Sequence, residues 1–385
     1  MQNLYILPKG FLSNGLFCGL KASGKKDLGL LYSESPCTVA GVCTTNSVKA
    51  HCVIDNQETL KHNQFVQAIL VNSGNANACT GEIGLKALNE VKEACGQNLN
   101  LHSSAVLTAS TGIIGVPLPA DIIISALSQL KAGLNSSAEN FASAILTTDL
   151  KVKLSEVQIG KAKILGITKG SGMIHPQMAT MLAFIVTDLE ISPSDLKEAL
   201  NEANAQSFNQ ISVDGDTSTN DMVVVLANGA SGEQISLSEF KKALNQVCID
   251  LAKQIVLDGE GANKIFEVKV IGHQLAPQIA RGIISSSLVK AAIFGCDPNW
   301  GRVLATAGQY AVINPAKATL KIFEHFLLKE GQVQNFDKKQ ISDLMKENKE
   351  IFIELTLGEA CLGEGIAWGC DLSYEYVRIN AEYTT

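Results

Sequence analysis

The sequence predicts a mixed α/β fold, and three observations carry that expectation. Strand-like apolar runs alternate irregularly with helical periods, no internal repeat is apparent, and 46% of the 385 residues are apolar. A chain of that length and composition can bury one large core or two ordinary ones, so length alone admits one to three domains.

A strand is expected at Met181 to Val186, entered directly from a glycine- and proline-containing loop. Ser192-Pro193-Ser194-Asp195 then opens a helix, with a cap hydroxyl, a proline at the first helical position and an acid three residues after the cap. That helix runs to about Phe208. Met222 to Ala227 reads as a second strand. A longer helix beginning near Ser236 places Phe240, Leu244, Val247, Leu251 and Ile255 on one stripe and stops at Asp258-Gly259-Glu260-Gly261. Phe266 to Ile271 follows as a strand, which implies sheets packed against helices. The most weakly composed stretch, Lys131 to Asn140, contains Gly133, Asn135, Ser136 and Ser137 but is neither a charged linker nor a Pro-rich hinge. A tethered two-domain enzyme is therefore not expected.

Charge and cysteine usage narrow the function. A net charge of −7 without a long basic stretch argues against binding a nucleic-acid backbone and favours small metabolites. The ten cysteines form no CxxC pair, so a zinc knuckle and a thioredoxin-type motif are both excluded, and reduced, mostly buried thiols are expected. The N-terminal MQNLYILPKGFLSNG lacks the basic segment, apolar run and small-residue site of a signal peptide, and the run MLAFIV is strand-sized. A cytoplasmic protein fits, with no membrane partner.

Two familiar patterns fail. Gly19 to Lys25 fits the first seven positions of a phosphate-binding loop, but Lys26 stands where the magnesium-binding hydroxyl belongs, and DLGLLY reads as a strand rather than a helix. Asp214, Asp216 and Asp221 suggest a calcium loop, yet its sixth and twelfth positions are Thr219 and Val225, not Gly and Glu. A turn-rich polar loop is the expectation there. None of the six histidines pair at HExxH spacing, and His175, before Pro176, is expected to face solvent or bond to backbone. No metal site is expected.

The segment Lys169 to Leu182, KGSGMIHPQMATML, turns sharply and then starts a strand at a β-branched hydroxyl residue, Thr180. Such a hydroxyl can attack the carbonyl of Ala179, shifting the acyl group from nitrogen to oxygen so that water splits the chain. The new α-amine of Thr180, with a reference pKa of about 7.7–8.0, could then serve as the base for its own hydroxyl. On pattern alone, an intact loop entering a buried strand is the preferred reading.

This segment resembles the cleavage motif of the ornithine acetyltransferase, or glutamate N-acetyltransferase, family. VNSGNANACTG at 71–81, TASTGIIGVPLP at 108–119, FNQISVDGDTSTND at 208–221, DGEGANK at 258–264, GCDPNWGR at 295–302 and YVRINAEYTT at 376–385 resemble family segments too, in family order across most of the chain. The resemblance implies an αββα sandwich cut into residues 1–179 and 180–385, with the fragments pairing as α2β2. It implies that Thr180 is the nucleophile and Thr111 and Gly112 the oxyanion hole. Substrate contacts are implied at Thr147 or Thr148, Lys169, Glu260, Asn380 and Thr385, and no metal or organic cofactor is required. The implied reaction moves acetyl from N-acetylornithine to glutamate through acyl-Thr180, and some relatives also take acetyl-CoA. One departure stands out: Leu150 follows TTD, where family members often carry Thr. The rivals are a self-processing aminopeptidase or amidase, which usually carries a serine nucleophile, and a non-catalytic metabolite-binding protein.

Overall fold

The computed structural model describes residues 5–63, 65–175 and 181–382. Ala179, Thr180 and Thr385 lie outside the described residues. In chain order the strands are β1 (Phe11–Leu16), β2 (Leu28–Cys43), β3 (Phe65–Asn75), β4 (Val106–Ile113), β5 (Lys153–Ile159), β6 (Ala162–Lys169), β7 (Leu182–Thr187) and β8 (Ile211–Ser212). They continue with β9 (Met222–Ala227), β10 (Ile265–Ile271), β11 (Thr319–Ile322), β12 (His325–Lys329), β13 (Gln332–Val333), β14 (Glu350–Thr356) and β15 (Glu364–Cys370). One mixed sheet runs β4-β3-β2-β9-β7-β6-β5 with β1 also on β2, and a second runs β13-β12-β11-β14-β10-β15-β8.

Strand β2 organises the first sheet. Its residues 28–33 pair with β1, and residues 38–43 pair on the same side with β9. Between the halves the register to β3 jumps from Tyr32 opposite Ala68 to Cys37 opposite Val66. Pro36 sits in that break, where its missing N–H costs no ladder bond. Leu31, Ile69, Val71 and Leu107 from one half pack in a common core with Leu165, Phe184, Val186, Val224 and Leu226 from the other. Within that core Phe141 meets Phe184 edge-on, with ring centroids 5.5 Å apart.

The outer faces are covered by helices. Leu28, Leu30, Ala68 and Leu70 pack under the helices Gly81–Leu99 and Ala120–Ala132, whereas Ile164, Ala183, Ile185, Val223 and Val225 pack under Pro193–Gln206 and Leu237–Leu257. Helix, sheet, sheet and helix thus form the αββα sandwich expected from the family resemblance. The second sheet extends this plan. One of its faces builds a separate core with the helices Ala276–Ser285, Trp300–Tyr310 and Lys338–Glu347. Ile265, Trp368 and Cys370 join it to the helix Leu237–Leu257.

Local expectations hold with small shifts of boundary. Ser192 Oγ accepts from Asp195 N–H at 3.2 Å and the helix ends at Gln206. Ser236 and Glu239 form a reciprocal capping box on the helix Leu237–Leu257. The weakly composed stretch is not a hinge: Leu7 N–H and Ser13 N–H donate to the carbonyls of Ser136 and Asn135 at 2.8 Å each. The phosphate-loop lookalike is filled from within. Asp27, fully buried, accepts from the N–H groups of Cys18, Gly19, Leu20 and Lys21, so a carboxylate of the chain occupies the place a phosphate would take. No helix of the described residues is long and apolar enough to cross a membrane.

Candidate active site

A cavity of about 130 Å³ opens where β4 and β6 end and where the chain runs into β9. Thr111, Gly112, Thr147, Thr148, Lys169, Glu260 and Asn380 all line it. These seven residues come from five separate stretches of sequence, on both sides of the bond between Ala179 and Thr180. In the antiparallel pairing of β6 with β7, Lys169 stands opposite Leu182, so the segment joining the two strands leaves and rejoins the sheet at this end.

Thr111 and Gly112 stand near the end of β4, opposite Ser73 and Gly74 of β3. Gly112 adopts φ +135°, and a side chain there would collide with the backbone of Gly74 and Asn75. Only glycine lets the two chains approach so closely. Buried Asn220 donates from Nδ2 to the carbonyls of Ser110 at 2.7 Å and Ala76 at 2.8 Å. Because the peptide unit is planar, holding the Ser110 carbonyl also fixes the direction of the Thr111 N–H.

Lys169 is 4% exposed and donates from Nζ to Thr147 Oγ1 at 3.0 Å. Burial holds its pKa below the ordinary lysine value, against the opposing pull of Asp149, Asp221 and Glu260. Thr148 Oγ1 shares a 2.7 Å hydrogen bond with Ser171 Oγ. Both threonines therefore line the cavity, but only Thr147 touches the lysine. Leu150 leaves the site undisturbed, because its side chain is 85% exposed and its N–H donates to Asp258 Oδ2 at 3.0 Å. The helix Tyr374–Glu382 carries Asn380 to the cavity, where its Nδ2 donates to Glu260 Oε2 at 2.9 Å.

The polar loop before β9 contributes more than turn chemistry. Asp214 and Asp216 line the cavity with Ser218, Thr219 and Asn220. Asp214 accepts from Met173 N–H at 2.6 Å and from Ile174 N–H at 2.9 Å. Met173 has φ +56°, a left-handed conformation that costs a non-glycine residue roughly 1–2 kcal/mol. Asp214 thus holds the glycine-rich segment in a bent shape that the segment alone would not favour. Asp221 is buried, its Oδ1 accepts from Met181 N–H at 2.9 Å, and burial pushes its pKa well above the usual carboxylate value. His175, half-buried, places Nδ1 3.3 Å from Ser212 Oγ. Among the described residues no group of three His, Cys, Asp or Glu side chains is placed to hold a metal ion.

The ArgJ family model matches residues 12–385. The chain belongs to the ArgJ family. The arginine biosynthesis bifunctional protein ArgJ of Gloeobacter violaceus is 46% identical over 393 residues, covering 98% of this chain and 97% of that relative. The protein of the same name from Bacillus cereus is 46% identical over 397 residues, covering 99% and 96%. Among solved structures, arginine biosynthesis bifunctional protein argJ from Bacillus halodurans aligns with a TM-score of 0.50 at 41% identity, covering 52% of this chain and 98% of that one. ArgJ membership therefore rests on nearly the whole chain, including all seven predicted residues that line the cavity.

Proposed function

We propose that this chain is a self-processing glutamate N-acetyltransferase of arginine biosynthesis, with Thr180 as its nucleophile. The carrying observation is the single cavity that gathers Thr111, Gly112, Thr147, Thr148, Lys169, Glu260 and Asn380. Relatives named arginine biosynthesis bifunctional protein support it.

In the first event the Thr180 hydroxyl attacks the Ala179 carbonyl, the C–N bond breaks, and the nitrogen leaves as the protonated amine of Thr180. Water hydrolyses the resulting ester, giving fragments 1–179 and 180–385. Almost all of the Bacillus halodurans chain aligns within half of this one, the proportion expected of a polypeptide cut in two.

In the second event the free amine takes the Thr180 hydroxyl proton as the oxygen attacks the acetyl carbon of N2-acetylornithine. Donors at Thr111 and Gly112 stabilise the oxyanion, ornithine leaves with the proton, and glutamate reverses the steps to leave as N-acetylglutamate. Lys169 and Thr147 meet the substrate carboxylate, and Glu260, Asn380 and the terminal Thr385 meet its other end. Acetyl-CoA is a second donor for the same acyl-enzyme. No metal or organic cofactor takes part, the fragments assemble as α2β2, and the enzyme works in the cytoplasm.

Incubating purified protein with N-acetylornithine and labelled glutamate tests the reading. Glutamate-dependent transfer of acetyl supports it. Steady hydrolysis independent of glutamate points to an amidase, and no turnover by a single uncut polypeptide points to a binding protein.

A further inference from the structure

Behind Lys169 lies a cluster of charges that the proposed chemistry does not use. Asp149 is buried and spends both oxygens on the cavity wall: Oδ1 accepts from Gly170 N–H at 2.6 Å, and Oδ2 from Thr147 N–H at 3.0 Å. The first of these groups follows Lys169 in the chain and the second begins the threonine pair. Lys153, 1% exposed, bridges Asp149 Oδ1 and Asp258 Oδ2 at 2.6 Å each. Asp258 in turn accepts from Leu150 N–H and Lys151 N–H, two residues before Glu260. One buried lysine therefore ties the threonine turn to the Glu260 turn on the other rim of the cavity.

We propose that Asp149, held by Lys153 and Asp258, is the positioning residue that aims Lys169 and the Thr147–Thr148 turn at the substrate carboxylate. The inference rests on the proposed function for the identity of that carboxylate, but the coupling of Asp149 to Lys169 does not. A fully buried ammonium needs a counter-charge to stay protonated. The charged groups facing Lys169 are Asp149, Asp221 and Glu260, with Lys153 and Lys21 opposing them. Burial drives Asp221 towards its neutral form, and Glu260 is already engaged by Asn380. Asp149 is the steadier anion: burial raises its pKa, but Lys169, Lys153 and the Thr147 N–H outweigh burial and hold it at about 2. Asp149 also sets direction, because the N–H groups it binds flank Lys169 and open the turn bearing Thr147 Oγ1. Substrate would thus meet a lysine and a hydroxyl whose spacing is already fixed.

The test follows Lys169 in the whole processed protein by the 13Cε shift of labelled lysine, assigned by its loss in Lys169→Arg, alongside KM for glutamate against pH. Asp149→Asn is expected to lower the Lys169 titration by on the order of one pH unit. KM above that titration should rise about tenfold, kcat should change less, and Asp149→Glu should recover part of both. A folded Asp149→Asn protein with an unmoved Lys169 titration and an unmoved KM profile overturns the proposal, even if its melting temperature falls. Should Asp149→Asn not fold, Asp258→Asn is read instead: releasing Lys153 from one anion should lower the Lys169 titration by a smaller amount, and no change overturns the proposal. A moved titration in a protein whose parent transfers no acetyl supports the positioning and overturns the function.

Discussion

Asn380 Nδ2 donates to Glu260 Oε2 at 2.9 Å, fastening the C-terminal helix to the turn after Leu237–Leu257. The bond orients one carboxylate oxygen, and in the proposed function the Glu260 carboxylate meets the ammonium end of the substrate. Asn380→Ala should therefore raise KM for N-acetylornithine about fivefold, the equivalent of about 1 kcal/mol for one hydrogen bond, with little change in kcat. Steady-state kinetics at saturating glutamate measures the split, and an equal fall in both constants would place Asn380 in the chemical step instead.

Gly112→Ala should cut kcat by about 10²–10³-fold if the proposed oxyanion hole is right, because the added methyl forces β4 away from Gly74 and Asn75 and misdirects the donors proposed at Thr111 and Gly112. Neighbouring Gly115 also has positive φ but open space around it. Gly115→Ala should reduce stability modestly and leave kcat within a few-fold. Comparing kcat and melting temperature for the two variants separates strain from catalysis.

Thr180→Ala should abolish both processing and acetyl transfer. Intact-mass spectrometry should show one polypeptide in place of two, and an undiminished pair of fragments would move the cut or its nucleophile elsewhere. Thr180→Ser keeps a hydroxyl and an amine and should still be cut, at a reduced rate.

The pH dependence of stability has a definite sign at Asp221. Its pKa in the folded protein lies well above the usual 3.8, so the folded state binds the extra proton and stability falls as pH rises from 3.8 towards the raised value. Asp149 acts oppositely and lower down: its pKa is held at about 2, so its contribution is complete above 3.8 and is lost between 3.8 and about 2. Asp221→Asn keeps an acceptor for Met181 N–H and should flatten the decline without altering the acid limb. Melting temperatures from pH 3 to 8 would show it, and an unchanged slope above pH 4 would contradict it.

Much of the fold was legible because its elements carry local signals. The proline and cap hydroxyl at Ser192, the capping box at Ser236 and the five-residue stripe from Phe240 act within a few residues, so the sequence displays them directly. Folding β2 across two layers depends on which neighbour each half meets, and Pro36 alone does not announce it. At the site, Lys169 and Glu260 were found through the resemblance, because by composition they pass for surface charges. Asp149, Asn220 and Asp214 went without a role for a different reason. Each acts by holding backbone groups far away in sequence, and short polar residues in turn-rich segments look alike until the partner is seen.

The pairing order of the first sheet also sets a sequence of events. Strands β7 and β9, from beyond residue 180, lie between β2 and β6, from before residue 179. A cut chain could bring these four strands together only by threading two pieces into one ladder, whereas an uncut chain delivers them already joined. The proposed cut after Ala179 is therefore expected to follow folding. Fragments made separately should reconstitute poorly, and a protein that fails to fold should also fail to mature.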